Sequence, residues 1–200
     1  MSSNISSGHL ATAFWPQPDN ATRAFVRNAI LVIAGTALLT LSAKINVPLP
    51  YVPMTMQTLV VLMIGAGYGS RLGLVTLLAY IGEGAIGLPV FASPVGGVAI
   101  LMGPTAGYLA GFAVAAFITG WMCENGFGQS MLRVFAAMAV GHVIILALGF
   151  VWLAFGVKLG MERAWLVGVV PFIAGSVVKN ALATVLMAVL SRWAQRIRAT

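Results

Sequence analysis

Between Gly84 and Gly111 the chain reads GAIGLPVFASPVGGVAILMGPTAGYLAG, with seven glycines, three prolines and no charged side chain. Its apolar residues suit a membrane core, but its glycines and prolines forbid one uninterrupted helix through that core. Non-helical backbone at membrane depth is tolerated only where protein buries it or water reaches it. The stretch therefore predicts a re-entrant or lid-like loop over a ligand pocket.

The rest of the chain supplies the membrane. Its 200 residues are 60% hydrophobic and only 8% charged, whereas a soluble domain carries about 25% charged residues. This predicts an all-α integral membrane protein. A spanning helix needs about 20 mostly apolar residues. Six helices are expected, over about 23–43, 55–68, 72–86, 104–122, 131–155 and 165–192. The second and third are short for full spans. Between the first two, VPLPYVP (47–53) has prolines at 48, 50 and 53 and must be extended. Thr55 is placed to cap the helix that follows. Residues 1–22 contain no basic segment leading an apolar one, so they read as a loosely ordered tail rather than a signal peptide, with a short amphipathic piece around Leu10–Trp15. Residues 193–200 form a basic tail. The membrane domain is then 23–192.

Six helices put both termini on one face. That face carries Arg23, Arg27, Arg71, Arg133, Arg192, Arg196 and Arg198, and the other carries Lys44, Lys158 and Arg163. The positive-inside rule makes the first face cytoplasmic, and it accounts for the net charge of +7 without nucleic acid. VPLPYVP and the Gly/Pro stretch then share the outer face. The spacing Gly103–Gly107–Gly111 allows close backbone approach, within this chain or against another. On the first helix Ala29, Ile33 and Ala37 make a small-residue row beside Thr36 and Thr40, which suits docking of a partner helix or ordinary bundle packing.

Few groups are available for catalysis. No G-x-x-x-x-G-K-[ST] occurs, so ATP binding through a P-loop is excluded. No HExxH occurs, and His9 and His142 alone make no metal site. Cys123 is the only cysteine and Asp19 the only aspartate. Glu124 and Glu162 fall in expected loops. His142 reads as an interhelical hydrogen-bonder rather than a ligand contact. No metal or cofactor is expected.

Lys179 is the sharpest residue. It lies 13 residues before Arg192 and 16 after Arg163 in the last helix. At about 1.5 Å per residue that is too deep for easy snorkelling to the cytoplasmic end. An unsatisfied intramembrane cation costs at least roughly 2.5–3.5 kcal/mol. Either Lys179 receives an anionic ligand, or it pairs with Glu83 or reaches the outer loop. Ser176, three residues back, shares its face, and Asn180 flanks it. Glu83 could accept ligand N–H groups or be a solvated loop residue, and Gln57 could line a cavity or merely help cap its helix. Phe91, Ser93, Gly96, Gly97, Thr105 and Tyr108 are the lid and pocket candidates of the Gly/Pro stretch. The sum is an outward pocket, mostly apolar, with one buried cation, suited to a small, largely apolar monoanion.

Three motifs carry a family resemblance: VPLPYVPMTMQTL (47–59), GLPVFASPVGGVAILMGPTAGYLAGF (87–112) and the lysine of GSVVKNALA (175–183). Together, over about residues 25–190, they resemble the BioY family, the biotin-specific substrate-binding (S) components of energy-coupling factor (ECF) transporters. The resemblance implies a six-helix S-component fold in the bacterial cytoplasmic membrane and a high-affinity biotin site near the outer face. It also implies a closing loop between helices 3 and 4, and partnership with a transmembrane coupling subunit and two ATPase subunits. Lys179 matches the family's helix 6 lysine, which implies a carboxylate contact. Three residues earlier, where the family usually has aspartate, this chain has Ser176. The small-residue row of helix 1 matches the family's Ala-x-x-x-Ala docking motif only loosely. Rival expectations are a stand-alone facilitator or channel for a small organic acid, an S component for another vitamin, and a membrane enzyme acting on an amphipathic acid.

Overall fold

A computed structural model describes residues 10–199. The order is α1 (Leu10–Phe14), α2 (Ala21–Lys44), β1 (Asn46–Val47), β2 (Met54–Thr55), α3 (Gln57–Tyr68) and α4 (Ser70–Ala85). It continues with α5 (Val98–Leu101), α6 (Ala106–Glu124), α7 (Met131–Val151), α8 (Met161–Gly168) and α9 (Val170–Ala199). Four stretches are long and apolar enough to cross a membrane: Ala21–Lys44, Ala106–Glu124, Met131–Gly156 and Met161–Arg196. The 12-residue α3 and 16-residue α4 complete the six-helix bundle. α1 folds back on α3 and α9, with the Phe14 ring 5.2 Å from that of Trp193.

α6 is the axis of the bundle, packed on α3, α4 and α7. Small residues let it be so. A side chain at Gly107 would strike Trp152 and the Leu148 carbonyl, and one at Gly111 would press on the Ile145 backbone. The glycine repeat therefore serves packing within the chain, onto α7. Gly65 of α3 meets the backbone of Ala116 in the same way.

Near the end of α6, Gly120 lies against the backbone of Gly69 and Ser70, and Glu124 reaches the start of α4. Its carboxylate accepts from Ser70 N at 2.6 Å and from Ser70 Oγ at 2.8 and 2.9 Å. An anion at a helix N-terminus satisfies free amides and opposes the dipole. Glu124 is thus the last residue of α6 and a cap for α4, not a loop residue. We predict that Glu124→Ala lowers unfolding stability by about 1.5–3 kcal/mol, the range for hydrogen bonds to a charged group, measured by thermal unfolding in detergent.

The last two helices also differ from expectation. α7 runs on into a π-turn (Trp152–Gly156). The sixth helical region starts at Met161, so Glu162 sits in the first turn of α8 rather than in a loop. It breaks at Val169 (φ −123°, ψ −56°), two residues before Pro171. A proline lacks the amide that would continue the hydrogen-bond ladder.

Candidate ligand-binding site

The site sits where three irregular pieces of backbone meet. The first is the segment 45–56. Asn46 pairs with Thr55 and Val47 with Met54 in a two-residue antiparallel ladder. The three prolines occupy the connecting loop, where no ladder amide is required. Thr55 Oγ1 accepts from Gln57 N at 3.2 Å, but the N-cap of α3 is Met56, one residue later than expected. From the other side the Arg163 guanidinium lies over the Tyr51 ring, 5.5 Å from its centre.

The second piece is the Gly/Pro stretch, which folds back over the bundle as a lid between α4 and α6. Leu88 N donates to Glu83 O and Gly97 N to Gly84 O, at 3.1 and 2.7 Å. Gly97 has φ +109°, a conformation that glycine adopts at no steric cost. The Phe91 ring fills the space where a side chain at Gly84 would stand and meets Tyr80 edge-on at 5.4 Å. Tyr80 Oη donates to Val90 O at 2.8 Å while accepting from Gln57 Nε2 at 2.7 Å. At the rim, Lys44 Nζ at the end of α2 donates to Phe91 O at 2.7 Å and Ser93 O at 3.3 Å. The third piece is the turn before α6, where Trp152 Nε1 donates to Gly103 O at 2.9 Å.

Beneath these pieces lies a cavity of about 420 Å³, a size for a small organic ligand. Leu49, Val52, Phe91, Ile100, Leu109, Phe112, Ile145 and Phe172 make its apolar walls. Tyr108 lines it too, held by a 2.6 Å bond from Oη to Gly168 O. Its polar lining includes Asn46, Thr55, Gln57, Thr58, Ser93, Thr105, His142, Ser176 and Lys179, with no acidic residue. Lys179 is 8% exposed. Its Nζ donates to Thr55 O at 2.6 Å and lies 3.4 Å from Thr58 Oγ1. An ammonium has three donors and no acceptor, so one proton remains for an occupant.

A model of the BioY family matches residues 12–196. The chain belongs to the BioY family. It is 37% identical over 156 residues to a probable biotin transporter BioY of Pyrococcus horikoshii, covering 78% of this chain and 91% of that protein. It is 38% identical over 158 residues to the biotin transporter BioY of Thermotoga maritima, covering 78% and 92%. A crystal structure described as the S-component for biotin from an ECF-type ABC transporter superposes with a TM-score of 0.77. That match spans 88% of this chain and 95% of that one at 22% identity, and it shows the shared fold.

Within this BioY fold the residues singled out from sequence divide in two. Gln57, Phe91, Ser93, Thr105, Tyr108, Ser176 and Lys179 converge on the cavity. Glu83 does not line it; half-buried, it sits beside Tyr80, and the hydrogen bonds of Lys179 go to α3 and the strand before it. Gly96 packs on the backbone of Gly87 and Leu88, and Gly97 shapes the lid; neither lines the cavity. Asn180 turns to α7, where Nδ2 donates to Phe135 O at 3.0 Å.

Thr55 and Thr58 also line the cavity, beyond the residues that the sequence points to. The signal for Thr58 was its place one residue beyond Gln57 at the start of a short, cavity-facing helix. His142, expected as an interhelical hydrogen-bonder, has the Asn180 side chain of α9 and the Met138 backbone as its neighbours. It is 5% exposed and lines the cavity, and neither ring nitrogen has a well-aligned partner among the described residues.

Proposed function

We propose that this chain binds biotin at its outer face and serves as the S component of an ECF transporter, handing the vitamin inward chemically unchanged. One observation supports this above the others. A mostly apolar cavity holds a buried ammonium with a donor to spare and no carboxylate on its walls. Biotin fits those terms, with an apolar bicycle and chain and two polar ends carrying acceptor oxygens. Lys179 donates to one of those oxygens. Gln57, Thr58 and Ser176 shape the polar floor, and Tyr108, Phe91, Ser93 and Thr105 form the wall and roof. Gly96 and Gly97 let the lid seat. Asn180 and Glu83 act from behind the walls.

The energy source lies in partners, because the sequence has no P-loop. A transmembrane coupling subunit and two ATPase subunits supply it. The outward row of α2, with Ala29 half-buried and Ile33 and Ala37 exposed, is the docking face for the coupling subunit. Both termini lie in the cytoplasm, on the side of the seven arginines. No cofactor takes part.

The direct test is purification of the chain from cells grown with biotin, followed by mass spectrometry of any co-purified small molecule. Unmodified biotin at near-equimolar yield is expected; a different bound acid would overturn the assignment. Uptake measured with and without the ATPase subunits then separates an ECF component from a stand-alone facilitator.

A further inference from the structure

We propose that Tyr80 is a positioning residue of the transport cycle, whose hydroxyl holds the lid shut and, through the same atom, fixes the amide of Gln57 in the cavity wall. Only its effect on ligand release rests on the biotin reading; its hold on the lid does not.

Tyr80 lies in α4, is 0% exposed and does not line the cavity. A count of its protons gives the row of bonds a direction. Val90 O is a carbonyl and only accepts, so the single phenol proton goes to it at 2.8 Å. The phenol oxygen then has only lone pairs to offer. Gln57 must therefore present its NH2 end, at 2.7 Å. That turns Gln57 Oε1 the other way, where the Thr55 hydroxyl lies at 3.4 Å. A carbonyl of the lid thus decides which end of a cavity-lining amide faces which way. When the lid lifts, Val90 O departs. The phenol proton can then turn to the amide oxygen, and Gln57 loses its fixed orientation. The coupling is reciprocal: an occupant that pairs with the fixed amide stabilises the closed lid by the same factor.

Burial makes this bond count for more than the other fastening of the lid. Lys44 also donates to lid carbonyls, at Phe91 and Ser93, but Lys44 is exposed and water can take the place of its bonds. No such replacement reaches Tyr80. Removing its oxygen takes a partner from Gln57 Nε2 and from Val90 O at once, and both residues are buried. Leaving buried polar groups unpaired is where a lost hydrogen bond costs most. The ring itself has a separate task. It meets Phe91 edge-on at 5.4 Å, a contact that needs no hydroxyl. Tyr80→Phe therefore keeps the packing of α4 against the lid and removes only the two bonds.

The test compares the full chain and its Tyr80→Phe variant in detergent by two measurements. The first is amide hydrogen exchange without ligand. The lid amides of Val90 and Gly97, bonded to Leu88 O and Gly84 O, should exchange about tenfold faster in the variant, the scale of one good hydrogen bond. Protection in α6 and α7 should stay as in wild type, since a lid opens as a local unit. The second is biotin kinetics by stopped flow. Release should be about tenfold faster on the same scale, with association no slower. Unchanged exchange in the lid would overturn the proposal. So would faster exchange spread through α6 and α7, which would make Tyr80 a general core residue. Faster lid exchange with an unaltered release rate would remove Tyr80 from the transport cycle. If the wild-type chain binds no biotin, the biotin reading falls by itself, and the exchange measurement alone decides whether Tyr80 holds the lid.

Discussion

Lys179→Ala is expected to weaken biotin binding by about 10- to 100-fold, the range for a hydrogen bond from a charged group, while the protein still inserts and folds. The ammonium is anchored from one side only, by Thr55 O and Thr58 Oγ1, and both partners belong to the start of α3 or the strand before it. Alanine leaves the cavity larger and without its cation. It also removes a charge that is costly to hold beneath a low-dielectric wall. The stability of the ligand-free protein should change little, because one lost hydrogen bond at Thr55 is offset by that relief. Titration calorimetry on purified protein measures the affinity, and thermal unfolding without ligand measures the fold. Unaltered affinity would remove Lys179 from the site. Lys179→Arg should not restore binding, since a planar guanidinium cannot occupy the place of a compact ammonium.

Gly96→Val should be nearly as damaging, by a different route. A side chain at residue 96 would run into the Leu88 and Gly87 carbonyls, which are backbone and cannot swing aside as a side chain could. The backbone hydrogen bonds that shape residues 84–97 include Leu88 N to Glu83 O and Gly97 N to Gly84 O. Pushing residue 96 outward strains both and lifts Phe91 from its seat on Gly84. The expected result is faster release of bound biotin, by about tenfold or more, with one hydrogen bond of about 1.4 kcal/mol setting the scale. Stopped-flow displacement with excess unlabelled biotin gives the rate. A variant that retains biotin as long as wild type would show that the lid does not govern release.

The bundle was legible because apolar length and charge asymmetry report on the bilayer directly. The starts of α3, α4 and α7 were readable from turn residues, and the discontinuity at Gly84–Gly111 followed from backbone sterics. Residues 152–169 were less legible. Neither the π-turn nor the break at Val169 has a strong local signal, and the position of Pro171 shows its effect only with neighbours in place. In the site, Lys179 stood out because a mid-span cation is anomalous in any environment. Its partners did not. Thr55 and Thr58 meet it across more than 120 residues of chain, a pairing that helix periodicity does not encode. Glu83 lay near the lid entrance in sequence, but its turn of α4 places it outside the cavity lining.

Lys44 holds the lid by the main-chain oxygens of Phe91 and Ser93. Every residue type carries such a carbonyl, so this fastening does not depend on which side chains the lid displays. Ala92 and Ser93, which both face the cavity, can therefore be exchanged without disturbing the fastening itself. The groups that line the cavity and the groups that fasten the loop are thus separate parts of it. A chain built this way can acquire a new ligand preference in the roof while keeping its means of shutting.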